Sequence, residues 1–156
     1  MSIPVLIVLL VTVQDVPWLD QLAAASARWS AARPASYEYT IALSGFDWSV
    51  PLRCSVAPTG VRVEEVPQPR HDQREWTPAM ERVFVRYCVI ENLFAMTERH
   101  LKLRIADVVR GVDHRAPVVA KYDERLGFPT DVFIDPANMV ADDELVLKVS
   151  GFVVIR

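Results

Sequence analysis

The chain has 156 residues, of which 51% are apolar, and this is the size of one ordinary domain with a core of its own. Its formal net charge of −3 provides no broad positive field to attract phosphates, which argues against nucleic acids and anionic membranes as partners. Eleven prolines and five glycines are scattered along the chain, which indicates turns between elements and not a disordered tract.

The first residues predict a secretory signal peptide over residues 1–14. The uninterrupted apolar run from Ile3 to Val13 is too short to cross a bilayer as a helix, but it has the length of the apolar region of a signal peptide. A buried strand is the alternative, because valine and isoleucine dominate the run. We therefore expect a single domain over residues 15–156, periplasmic or secreted, with no transmembrane segment once the signal is removed.

The first half of this domain predicts a helix followed by three antiparallel strands. Apolar residues recur at spacings of four, three and four, as on one face of a helix; they are Trp18, Leu22, Ala25 and Trp29. Pro34 follows and ends the helix. Period-two alternation then predicts strands at residues 37–43, 50–56 and 61–64, with a turn before Gly60.

The second half repeats this order. Thr77-Pro78 is typical of a helix start, and an apolar stripe predicts a helix over about residues 89–103. The stretch between them is open to three readings: a helix, a short strand or an irregular join. Two strands flank a hairpin turn at residues 126–129, and a last strand begins at Leu145. The predicted fold is α+β: a curved antiparallel sheet of about six strands with two helices packed on one face.

Three groups of residues carry a resemblance to a known family. They are Ala27–Trp29 with Ser36–Thr40, then Ile90–Phe94, and finally Tyr122-Asp123 with Leu126–Pro129, Ile134-Asp135 and Asp142–Glu144. Over most of residues 15–150 this pattern resembles a family of small exported bacterial domains, the domain of unknown function family 6174. The resemblance implies a secreted or lipid-anchored envelope protein, and it implies no activity or ligand.

The two cysteines, Cys54 and Cys88, are candidates for a disulfide, as an exported protein allows. Cys54 lies on the inward face of its predicted strand, and Cys88 immediately precedes the helix expected to cover that face. Two free, buried thiols that act as small apolar residues are the alternative.

Acidic residues are dense in the second half of the chain, and these carboxylates are hard-oxygen ligands; they are Asp123, Asp131, Asp135, Asp142, Asp143 and Glu144. If Gly127 centres the hairpin, Asp123 faces Asp131, and either a cation or the nearby Lys121 and Arg125 would neutralise the pair. The spacing matches no calcium loop, so we favour a solvated acidic surface over weak calcium binding. We expect no metal site and no cofactor.

Phe46 and Trp48 are large aromatic residues in the loop that joins the first two predicted strands. Aromatic residues on loops are typical of binding surfaces, although packing back over the sheet edge is the alternative. Phe46, Trp48 and the five aspartates are therefore the candidate binding residues.

No set of residues has the spacing of a catalytic site. His71, His100 and His114 lie in separate segments, and the chain has no nucleophile elbow, phosphate-binding glycine loop or paired-cysteine metal motif. We expect a non-catalytic exported protein that binds an unidentified protein or small molecule, with a structural role in the envelope as another reading. The alternative from a different class is a metal-dependent or hydrolase-like enzyme built on the acidic residues.

Overall fold

The computed structural model describes residues 16–45, 49–67, 76–109, 118–135 and 144–155, so the predicted signal peptide lies outside the described residues. In chain order the elements are α1 (Val16–Ala32), β1 (Tyr37–Ser44), β2 (Ser49–Ala57), β3 (Gly60–Glu65), α2 (Pro78–Phe84), a 3-10 turn (Val85–Cys88), α3 (Ile90–Val109), β4 (Val118–Tyr122), β5 (Pro129–Ile134) and β6 (Leu145–Val154).

The six strands form one antiparallel sheet in the order β3-β2-β1-β6-β5-β4. Each half of the chain contributes a meander of three strands, and β1 and β6 join the two meanders at the centre, where Ile41 lies opposite Val149. Strands β3 and β4 are the two edges, so the sheet is open and not closed into a barrel.

The helices cover one face of this sheet. Every second residue of β1 is buried, beginning at Tyr37, while the residues between them are exposed or half-buried. Helix α1 packs its buried residues Leu22, Ala25 and Trp29 into the same core, and α3 adds its own buried stripe there. The prediction of an α+β fold with an antiparallel sheet is confirmed.

The number of helices differs from the predicted two, because the stretch left open by the sequence forms a third. The side chain of Thr77 accepts a hydrogen bond from the Met80 amide at 3.2 Å, and Pro78 occupies the first turn, so α2 is capped as its sequence favours. The chain then tightens into the 3-10 turn. The alternation of Val83, Val85 and Tyr87 is the pattern that made a short strand one of the readings, but Val83 lies in α2 and the other two lie in the 3-10 turn.

An aromatic cluster holds α1 on the sheet. The indole of Trp29 meets the rings of Tyr37, Phe128 and Phe152 edge-on, with centroids 5.4 to 6.2 Å apart. Phe128 and Phe152 in turn stack at 4.4 Å. Such edge-on and stacked pairs add to the free energy gained from burial alone, so this cluster fixes the position of α1.

Candidate functional site

Asp123 caps the turn between β4 and β5. Its Oδ1 atom accepts hydrogen bonds from the amides of Arg125, at 3.0 Å, and Leu126, at 2.6 Å. Its own backbone also closes the turn, because its amide donates to Phe128 and its carbonyl accepts from Gly127. This carboxylate therefore serves the backbone of the turn, as aspartate does in Asx turns.

Asp131 lies between two lysines on the sheet. In the register of the strands it is opposite Lys121 on β4 and opposite Lys148 on β6. The expectation that Asp123 faces Asp131 is wrong, because Asp123 is used in the turn and the register shifts between Lys121 and Tyr122. Lysine side chains, and not a second carboxylate, are thus the cross-strand neighbours of Asp131.

Two of the four remaining acidic candidates lie within the described residues. Asp135 is half-buried just after β5, Glu144 is exposed just before β6, and Asp142 and Asp143 lie outside the described residues. Within the described ranges no group of three histidine, cysteine or acidic residues is arranged to hold a metal ion.

The predicted aromatic loop and two of the histidines lie outside the described residues. Phe46 and Trp48 belong to that group, and so do His71 and His114. The described ends of the loop are Ser44 and Ser49, which are paired across β1 and β2. His100 is half-buried on α3. Its pKa is lowered mainly by burial and, to a smaller extent, by the positive charge of Arg99.

Cys54 and Cys88 are joined by a disulfide, with their Cα atoms 5.2 Å apart, and both residues are fully buried. A second link lies beside it: the hydroxyl of Tyr39, the residue opposite Cys54, donates to the carbonyl of Tyr87 at 2.9 Å. Burial raises the pKa of Tyr39 well above its usual value, so this hydroxyl keeps its proton at neutral pH. Together the two links fasten the 3-10 turn to the sheet.

Gly127 lies directly against helix α1. A β-carbon at this position would overlap the carbonyl oxygen of Ala25 and would stand 3.0 Å from the Cβ of Arg28. Its φ of +86° is also one that residues with a side chain rarely adopt. The turn that Asp123 caps is therefore packed onto α1, and Phe128, which follows, reaches Trp29.

A partly buried polar cluster joins α1, β1 and the first turn of α3. The Oε1 atom of Glu91 accepts from the indole Nε1 of Trp29 at 3.0 Å and from the guanidinium of Arg33 at 2.9 Å. The hydroxyl of Tyr37 and the Oε2 atom of Glu91 are also buried here, and neither has a hydrogen-bond partner among the described residues.

The face of the sheet opposite the helices presents its side chains outward. At one end, Val119, Phe133 and Val146 form a row across β4, β5 and β6, and all three are half-buried. The next row holds Lys121, Asp131 and Lys148 in the same order. We call these six residues the open-face patch.

Sequence patterns do not reveal the open-face patch or the cluster at Glu91, because both depend on which strands and helices become neighbours. Trp29 and Glu91 are 62 residues apart in the chain. The only sequence signal for the cluster is that Trp29 and Glu91 both belong to segments that carry the family resemblance. The described members of those segments lie largely in the core or in the docked turn.

The fold and these contacts define a class: an α+β domain whose open six-stranded antiparallel sheet carries helices on one face. The chain belongs to DUF6174, a family of unknown function, which it matches over residues 21–154. No curated protein and no solved structure matches the chain.

Proposed function

We propose that this chain is a non-catalytic exported protein that binds a protein partner across the open-face patch. The observation that carries the proposal is the row formed by Val119, Phe133 and Val146, three apolar side chains aligned on the sheet face opposite the helices. Apolar side chains grouped at a surface beside polar neighbours are typical of interaction surfaces.

The shape of the patch favours a protein over a small molecule. Small ligands bind in concave sites that enclose most of their surface, whereas the six residues of the open-face patch lie side by side on the outer face of the sheet. The lysines of the next row, Lys121 and Lys148, flank Asp131 and outnumber it, so the patch suits an apolar partner surface with acidic residues at its rim.

The enzyme alternative gains no support from the described residues. A site built on carboxylates requires them to converge, but Asp123 caps a turn and Asp131 lies between two lysines. These two carboxylates therefore do not form the converging pair that acid–base or metal chemistry requires.

Two features support export. The apolar run at residues 3–13 has the length of a signal-peptide core, and the disulfide between Cys54 and Cys88 suits an oxidising compartment. No described helix combines the length and the apolar character needed to span a bilayer. Intact mass of the protein from its native host tests export, since a mature chain that still begins at Met1 or Ser2 would contradict it.

Binding is tested by capture from the native envelope with two matched variants. Phe133→Thr removes a half-buried ring from the patch and keeps a residue that favours strands. Leu103→Gln removes an apolar side chain, 50% exposed, from the outer side of α3 and keeps a residue that favours helices.

We expect the wild-type chain and Leu103→Gln to capture a protein that Phe133→Thr does not capture. Circular dichroism should show that all three chains are folded. Equal capture by both variants would remove the patch as the binding surface.

A further inference from the structure

We propose that one water molecule is bound inside the protein, between the hydroxyl of Tyr37 and the Oε2 atom of Glu91, where it joins β1 to the first turn of α3. This site lies on the helix-covered side of the sheet and is independent of the proposed binding at the open-face patch.

The first observation is that two buried polar atoms occupy one cluster without partners. Tyr37 is fully buried, and its hydroxyl has no hydrogen-bond partner in the described part of the chain. The side chain of Glu91 is 38% exposed as a whole, but its Oε2 atom is buried and equally unpartnered there. Buried polar groups in native proteins are nearly always paired, either with protein or with an ordered water.

The second observation is that the side chains of Tyr37 and Glu91 both contact the same indole. The ring of Trp29 is 5.4 Å from the ring of Tyr37, and its Nε1 atom donates to Oε1 of Glu91 at 3.0 Å. Because Arg33 also donates to Oε1, that oxygen has two donors, while Oε2 has none among the described residues. The free acceptor of the carboxylate is therefore the one on the buried side of the cluster.

The hydroxyl of Tyr37 is a proton donor in this setting. Burial is the main cause that raises the pKa of Tyr37, and the negative charge of Glu91 raises it further. The hydroxyl therefore stays protonated at neutral pH. The amide of Ile90 lies close enough to favour the ionised hydroxyl, but not in the geometry of a hydrogen bond. The site thus offers a donor and an acceptor, with a backbone amide close by, and a buried water typically makes about three such bonds.

The charges of the cluster select a neutral occupant. The guanidinium of Arg33 disfavours a cation, the carboxylate of Glu91 disfavours an anion, and an apolar molecule would leave both free atoms unpaired. Water is small, neutral and able to donate to Oε2 while accepting from Tyr37.

The direct test is a crystal structure of the whole chain at a resolution that shows ordered water. We expect one density peak within hydrogen-bond distance of both Tyr37 Oη and Glu91 Oε2. The peak should remain in Tyr39→Phe, because the hydroxyl of Tyr39 bonds the carbonyl of Tyr87 and not the water. It should weaken or vanish in Tyr37→Phe. A direct bond between Tyr37 Oη and Glu91 Oε2, or no density between them, would overturn the proposal.

A double-mutant cycle in solution provides the second readout, using Tyr37→Phe, Glu91→Gln and their combination. If one water joins the two groups, the combined variant should change the unfolding equilibrium constant by several-fold less than the product of the two single changes. Tyr39→Phe combined with Glu91→Gln should give the simple product. Additive behaviour of the Tyr37 pair would count against the bridge, and the wild-type crystal structure decides the matter if a variant fails to fold.

Discussion

Gly127 and Ala25 are in contact through backbone alone: the Cα of the glycine lies so close to the carbonyl oxygen of Ala25 that no β-carbon fits between them. This contact docks the β4–β5 turn on α1. It also requires a glycine at position 127, since few other residues can adopt its φ and its packing together.

Gly127→Ala should therefore lower the free energy of unfolding by about 3 kcal/mol, from a strained φ and a forced displacement of α1. Gly151→Ala is the matched control, because Gly151 also has a positive φ, of +61°, but has open space around it. That control should lose about 1 kcal/mol. Denaturant unfolding measures both, and equal losses would show that the contact with α1 contributes nothing.

Asp123→Ala should remove both hydrogen bonds that cap the turn and lower the free energy of unfolding by about 2 kcal/mol. Asp123→Asn keeps an oxygen acceptor in the same place and should retain more than half of that stability.

Thermal unfolding in excess calcium and in chelator should give equal midpoints for the wild-type chain. A higher midpoint in calcium would instead assign the carboxylate to a cation.

The disulfide predicts that thiol titration of the denatured, non-reduced chain finds no free thiol. Reduction should lower the free energy of unfolding by roughly 3.5 kcal/mol, because the bridge closes a loop between residues 34 positions apart. Cys54→Ala combined with Cys88→Ala reproduces the reduced state without reductant. Two titratable thiols in protein from its native host would contradict the bridge.

Tyr122 should make the fold sensitive to alkaline pH. Burial raises its pKa from 10.0 to about 12, so the folded chain holds a proton that the unfolded chain releases. The stability that this proton provides is present below pH 10 and is lost as the pH rises from 10 towards 12. Tyr122→Phe keeps the stacking on Phe94 and should flatten the fall in unfolding free energy over this range. If the unfolding free energy of Tyr122→Phe falls with pH as steeply as that of the wild-type chain, the loss of stability at alkaline pH belongs to Tyr37 and Tyr39.

Local patterns predicted what depends on neighbours along the chain. The period of α1, the alternation of the strands and the cap at Thr77 all act within a few residues, and each matches the structure. The number of helices was wrong because the alternation from Val83 to Tyr87 competed with the capping signal at Thr77.

Contacts between distant segments could not be predicted in the same way. The pairing of β1 with β6 and the bond between Trp29 and Glu91 depend on how the two halves meet, which no local period encodes. The role of Asp123 was missed for a different reason: its carboxylate serves backbone amides two and three residues later, and ligand spacing alone does not distinguish this use from metal binding.

The pairing of β1 with β6 also has a consequence for the order in which the sheet assembles. Strand β1 pairs with β2 on one side as soon as the first meander forms, but its other edge waits for the last strand, about one hundred residues later. Until Leu145–Val154 pairs with it, the folding chain presents an unpaired strand edge at what becomes the centre of the finished sheet. Such an edge is a template for pairing with other chains, so the arrival of β6 also removes a site for aggregation.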